Sequence, residues 1–271
     1  MKKLLLFLVL CSISSCVSDD FNNMAEGFAP PTLADAFEMA QDPHDPDQRR
    51  KGLTLLSNAP FGGGSQYQRI YREFIEKEDD PLVRAAAIKA LARFGNADDA
   101  LIILPWLSMD NTQSEQVRRA AARALQRFYN PSVVPALLRT LRNQEEQVQA
   151  RTNVAIALGQ YAEKRVFNGL ILGLQANNLS LNLAAAQSLH VLTGQVFGID
   201  WDGWYEWSDK PGTDIFAFQS AYTYPTYKHE ESWWDNVTFW EYRIHEKPDY
   251  PAGSKEATKM STYDDAVETS Q

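Results

Sequence analysis

Apolar positions in the stretch 80–95 follow helical spacing. Val83, Ala86, Ala87, Ala90, Leu91 and Phe94 stand at offsets 0, 3, 4, 7, 8 and 11, which gathers them on one face of an α-helix. Polar and special residues mark the ends: Asp80 is a cap for the first turn, Pro81 suits the first helical position, and Gly95 is placed to take the left-handed conformation that stops a helix. The same spacing returns along the chain. With Val83 as the reference, the equivalent residues are Gln48, Val117, Ala150 and Leu181, in steps of 35, 34, 33 and 31 residues. The pair at offsets 7 and 8 shows the register: Leu55-Leu56, Ala90-Leu91, Ala124-Leu125, Ala157-Leu158 and Ser188-Leu189. A period in the low thirties with helical periodicity predicts stacked helix pairs, each of which buries its apolar face only against its neighbours.

The intervening segments supply the partner helices. They are predicted at Leu33 to Gln41, Ser65 to Ile75, Ala97 to Leu107 behind an Asn96 cap, Ser132 to Leu141 after Asn130-Pro131, and Lys164 to Leu174. Gly62-Gly63-Gly64 reads as a flexible turn before Ser65. The middle copies begin Val83-Arg84-Ala85-Ala86-Ala87, Val117-Arg118-Arg119-Ala120-Ala121 and Ala150-Arg151-Thr152-Asn153-Val154. This pattern resembles HEAT-type repeats of the short variety first noted in phycobilisome lyases. The resemblance is strongest over 80–161 and weaker at 45–57 and 179–193, where Asn182 replaces the arginine. The expected fold class is all-α: an α-solenoid of about five HEAT-like helix pairs over 33–193, followed by an aromatic-rich, irregular C-terminal extension. Such repeats imply a scaffold rather than a reaction. Lyase chemistry by analogy with the namesake would need a pigment client, and no residue identifies one.

The N-terminus changes the picture of where the chain works. Met1-Lys2-Lys3 is a positive start, Leu4 to Leu10 a short apolar run, and Ile13-Ser14-Ser15-Cys16 closes it with small residues. These four residues resemble, position by position, the lipobox of a bacterial lipoprotein signal peptide. The resemblance implies that residues 1–15 are removed and that Cys16 carries covalent lipid. It also implies a cell-envelope location, with the outer membrane favoured over the inner because residue 17 is Val rather than Asp. An ordinary secretory signal is the alternative. Residues 16–32 then read as a tether, and Cys11 leaves with the signal, so no thiol pair remains for a disulfide.

Charge excludes one class of partner. The chain carries 26 basic and 35 acidic residues, a net −9, which argues against nucleic acid. Loss of Lys2 and Lys3 leaves 24 basic against 35 acidic, or −11.

Within this acidic chain two arginine sets stand out. Arg49, Arg84, Arg118 and Arg151 share offset 1 in successive copies and are expected to bond carboxylates or carbonyls of the adjoining repeat as a structural ladder. Lys89, Arg93, Arg119, Arg123 and Arg127, at offsets 2, 6 and 10, form a basic stripe opposite the apolar face. It is a candidate seat for an acidic peptide, an anionic glycan or a lipid headgroup, or else a solvated face paired with nearby acids.

Six of the seven tryptophans fall between 201 and 240, so 194–245 forms a separate aromatic block and 246–271 reads as a disordered tail. Trp201, Trp204 and Trp207 follow the last repeat and are expected to cover its open end. Trp233, Trp234 and Trp240 are candidates for docking a partner or a glycan, or for packing back along the array. Enzyme signals are poor: His44, His190, His229 and His245 share no metal-ligand spacing, and no phosphate loop is present. No catalytic residue, metal ligand or cofactor is expected beyond the lipid on Cys16. The reading is a membrane-tethered, non-catalytic scaffold for another envelope protein, with a glycan- or cell-wall-binding module as the alternative.

Overall fold

The computed structural model describes residues 31–59, 61–112, 114–225 and 248–257, and the structural statements below concern those residues. Helices α1 (Leu33–Ala40) and α2 (Pro46–Asn58) form the first pair, α3 (Ser65–Lys77) and α4 (Pro81–Phe94) the second. The third opens with a short α5 (Asp99–Ile103), tightens into a 3-10 turn over Leu104–Leu107, and continues in α6 (Glu115–Ala124). A 3-10 turn at Pro131–Val133 leads into α7 (Val134–Arg142) and then α8 (Val148–Leu158). Helices α9 (Lys164–Leu174) and α10 (Leu179–Thr193) make the last pair, and α11 (Trp201–Ser208) follows. The described residues contain no strand, only isolated bridges joining Phe128 to Ala252 and Tyr224 to Asp249.

The second helices stack in sequence: α2 on α4, α4 on α6, α6 on α8 and α8 on α10. The first helices form the other layer, and one continuous apolar core runs from Ala36 to Ile215. The fold is an all-α solenoid. Short helices such as these are marginal alone, so neighbour packing and capping hold them. Asp80 Oδ1 accepts from the backbone N–H of Leu82 and Val83 at 2.8 and 3.0 Å, with Pro81 in the first turn. Asp45, Ser114 and Asn178 cap α2, α6 and α10 in the same way, whereas Gln147 gives α8 no side-chain cap.

Gly95 ends α4 differently from expectation, with φ −74° and ψ 175°, an extended rather than left-handed conformation. Its need for glycine is spatial, since a Cβ there would stand 2.6 Å from Asp99 Oδ2. That carboxylate is fixed by Arg72, whose Nε and Nη2 donate to it at 2.6 and 2.9 Å. The left-handed glycine cap occurs instead at Gly194, φ 71°, after α10. The triple-glycine turn is fastened to α3, because Tyr71 Oη donates to Gly62 O at 3.1 Å and Gln68 Nε2 to Gly63 O at 2.8 Å.

The four arginines at offset 1 divide into two kinds. Arg49 donates Nε and Nη2 to both carboxylate oxygens of Glu78 at 2.8 Å, across the junction to the second pair. Arg118 likewise crosses to the fourth pair, with Nε 2.8 and 3.1 Å from the Glu146 oxygens, and gives Nη1 to Thr112 O at 3.0 Å. Arg84 and Arg151 bond carbonyls of their own pairs, Ile75 O at 3.1 Å and Leu141 O at 3.0 Å. Arg84 also donates to Glu78 O and lies 3.9 Å above the Trp106 ring of the third pair. Burial pushes the Glu78 carboxyl up, but the Arg49 guanidinium and the Asp80 N–H outweigh it and hold the group below the usual range.

Candidate functional site

The outward faces of the stacked second helices line a groove of about 1100 Å³. Helical spacing explains which side chains reach it: positions three and four apart share a face, so offsets 2 and 6 point together away from the core. Arg50 from α2, Lys89 and Arg93 from α4, and Arg119 and Arg123 from α6 all line the groove, and no Asp or Glu among the described residues does. Toward α8 and α10 the lining becomes neutral and polar, with Gln147, Gln149, Thr152, Asn153, Asn178 and Ser180. Thr54, Ser57, Asn58 and Gln116 add polar groups to the cationic half, and the remainder is aliphatic, from Leu82, Ala85, Ala86, Ala120 and Val148, with no aromatic ring among the described residues.

The cations differ in how they are held. Arg93 Nη1 donates to Ser57 O and Asn58 Oδ1, each at 2.9 Å, which fixes its guanidinium between α2 and α4. Arg50 shares Asp47 at 3.0 Å, a carboxylate outside the groove with 79% of its side chain exposed. Lys89 and Arg119 have no carboxylate partner among the described residues. The Lys89 amine is open to water yet ringed by the groove walls. It is held below the usual lysine range, first by desolvation and then by the positive charges of Arg123, Arg119 and Arg50. Positive charge concentrated in a concavity raises the local concentration of anions.

The structure thus brings Lys89, Arg93, Arg119 and Arg123 into one site and leaves Arg127 out. Helix α6 ends at Ala124, so offset 10 of that copy is no longer on the helix. Arg127 instead stacks 4.6 Å above the Tyr224 ring, and its carbonyl accepts from Ala252 N at 2.9 Å. Sequence reasoning missed Arg50, although it stands at the same offset in the first copy as Arg119 does in the third. It also missed the amide-rich half, where no charge pattern drew attention.

Beyond α10 the aromatic block divides. Trp204 is fully buried, donates Nε1 to Gly198 O at 2.9 Å, and packs edge-on to Phe197 and Phe167 at 5.0 and 6.5 Å. Trp207 lies half-buried beside it, 6.4 Å away. Trp201 corrects the expectation of three capping tryptophans, since it is 44% exposed where Trp204 is fully buried. Cys16, Trp233, Trp234 and Trp240 lie outside the described residues.

The tail expected to be disordered from 246 contains an ordered piece. Ala252 N donates to Arg127 O and Tyr129 N to Ala252 O, both at 2.9 Å, while Pro251 and Ser254 are buried. Residues 248–257 therefore strap the loop edge of the third repeat. Such a contact joins segments over a hundred residues apart and leaves no periodic trace in sequence.

His190 is occupied structurally, its Nδ1 2.9 Å from Gln195 O. Among the described residues no group of three His, Cys, Asp or Glu side chains could hold a metal ion, and no helix is long and apolar enough to cross a membrane.

Residues 103–190 match the family described as HEAT repeats, a stretch running from the end of α5 into α10. No curated protein matches the chain. HEAT repeats typically act as protein–protein interaction scaffolds, and the groove lies on the surface such a scaffold would offer.

Proposed function

We propose that this protein is a lipid-anchored, non-catalytic HEAT-repeat scaffold of the cell envelope that holds another envelope protein in its concave groove. The observation that carries the reading is a groove lined, among the described residues, by five cations and no carboxylate, in a chain of net charge −9. Concentrating positive charge at one place in an acidic protein serves association rather than folding, because mutual repulsion among the cations opposes the folded state. The lipobox resemblance at Ile13 to Cys16 supports anchoring through Cys16, on the outer rather than the inner membrane. Several acyl chains, at about 0.8 kcal/mol per buried CH₂, hold a protein at a bilayer without a spanning helix. The reading calls for no cofactor besides that lipid.

The test is crosslinking on intact membranes followed by recovery of the tagged protein, in wild type and in Arg119→Glu. A specific partner recovered from wild type and lost from the folded variant is the expected result. Recovery that ignores the substitution removes the groove from the reading. Cys16→Ser is expected to move the protein from the membrane to the soluble envelope fraction, and continued membrane association would contradict the anchor.

A further inference from the structure

The groove is graded along its length. Its α2–α6 half carries the five cations beside the polar Thr54, Ser57, Asn58 and Gln116, and its α8–α10 half carries polar groups with no formal charge. The two halves recognise different features of a ligand. A cation cluster selects carboxylate, phosphate or sulfate groups, whereas the Gln147 and Gln149 amides offer a donor and an acceptor together, the complement of a peptide group; Asn153 already bonds Gln149 O and Gln126, and Asn178 Oδ1 caps α10.

Resting on the scaffold reading above, we propose that the occupant is an extended, acidic polypeptide segment of the partner protein. Its carboxylates sit on Arg50, Lys89, Arg119 and Arg123, and its main chain lies along the Gln147 and Gln149 amides at the start of α8. Lining and charge separate this occupant from other candidates. Neutral sugar chains are held largely by stacking on aromatic rings, of which the groove has none among the described residues, and the net charge of −9 repels a nucleic-acid backbone. A bilayer surface is flat on this scale and cannot enter a concavity between helices. The aliphatic floor from Leu82, Ala85, Ala86, Ala120 and Val148 suits the Cα and side-chain methylene groups of a peptide.

Size agrees with a linear segment. Packed helices stand roughly 10 Å apart, so the steps from α2 to α10 cover on the order of 40 Å. That is the reach of about twelve residues of extended chain at ~3.3 Å each. The charged half accounts for about six of them. Lys89 and Arg119, which lack a carboxylate partner of their own among the described residues, are the positions where an incoming carboxylate displaces no internal ion pair.

The experiment is fluorescence anisotropy with the full-length protein and a fluorescein-labelled peptide of about twelve residues alternating glutamate with serine. Its glutamine counterpart, heparin and phosphatidylglycerol vesicles serve as competing probes. Saturable binding of the glutamate peptide is expected, with no binding of the glutamine counterpart and at least tenfold weaker binding to Arg119→Glu and, independently, to Lys89→Glu. Both substitutions are on exposed side chains, and circular dichroism confirms that each variant is folded. Absence of peptide binding, or binding of heparin or vesicles alone, overturns the inference. If the membrane crosslinking still recovers a partner that depends on Arg119 while the peptide fails to bind, the scaffold reading stands and only the acidic-segment inference falls. Loss of Arg119 dependence in the crosslinking removes both.

Discussion

Arg118 and Arg119 are consecutive residues on α6, about 100° apart around the helix, and they illustrate two regions of the molecule with opposite rules. Arg118 points into the junction between repeats, is 3% exposed, and meets Glu146 and the Thr112 carbonyl. Arg119 points into the groove, is exposed to water, and has no acidic partner among the described residues. At the junctions Arg49 and Arg118 are each matched by a buried carboxylate, because an unmatched charge taken out of water is costly. In the groove Lys89 and Arg119, without a carboxylate partner among the described residues, stand where water can still reach them, so the cost is small and the field is available to a ligand.

Removing the two side chains in turn tests this difference most strongly. Arg118→Leu leaves the buried Glu146 carboxylate without its cation and is expected to lower unfolding free energy by about 3–5 kcal/mol. Arg119→Leu is expected to stay within about 0.5 kcal/mol of wild type. Urea denaturation of the two variants measures both. If Glu146→Gln is then added to Arg118→Leu, part of the loss should return, because the uncompensated charge is gone. Equal losses for Arg118→Leu and Arg119→Leu would erase the distinction between junction and groove.

How far the sequence reveals each region follows from the same geometry. Register and pairing were legible because helical periodicity repeats, and it placed α2, α4, α6, α8 and α10 correctly around Val83 and its equivalents. The basic stripe was legible for the same reason up to Arg123. Periodicity fails where a helix stops, and α6 stops at Ala124, so Arg127 was assigned to a face that does not exist there. Gly95 stands where spacing predicts a left-handed cap, yet the chain is extended there, and glycine is needed because a Cβ would meet the Asp99 carboxylate held by Arg72. Trp201, Trp204 and Trp207 looked equivalent by spacing, but only a partner surface decides burial, and Phe167 and Phe197 face Trp204 and Trp207 rather than Trp201.

A second way to sharpen the comparison is acid. Glu78 is a junction carboxylate held below the ordinary glutamate value of 4.5, burial raising it and the Arg49 and backbone hydrogen bonds lowering it further. A depressed folded-state value means that the unfolded chain takes up a proton first as pH falls. The Glu78 contribution is therefore complete above the ordinary value and is lost as pH drops through the lower, folded one. Between pH 7 and 3 wild type should lose stability more steeply than Glu78→Gln, in midpoints from urea titrations at each pH. Arg119→Leu should follow the wild-type curve. A Glu78→Gln profile as steep as wild type would show that the Arg49 pair does not carry the acid response.

The smallest expected effect has the opposite sign and lies in the groove. Lys89 is held below the usual lysine range of about 10.5 by desolvation and by the charges of Arg123, Arg119 and Arg50. A lysine whose folded value is depressed gives up its proton in the folded state before the unfolded one. Its charge therefore costs stability at neutral pH, and the cost is relieved as pH rises through the folded value toward the unfolded one. Because Lys89 is open to water the cost is screened. Lys89→Met is accordingly expected to raise the urea midpoint slightly, by far less than Arg118→Leu lowers it, with the gain shrinking as salt is added. The same substitution should weaken binding of the glutamate peptide. Stability gained and binding lost at one residue would mark the groove as a place where the fold tolerates repulsion in exchange for recognition. A stability loss in Lys89→Met would assign Lys89 to the matched charges of the junction class instead.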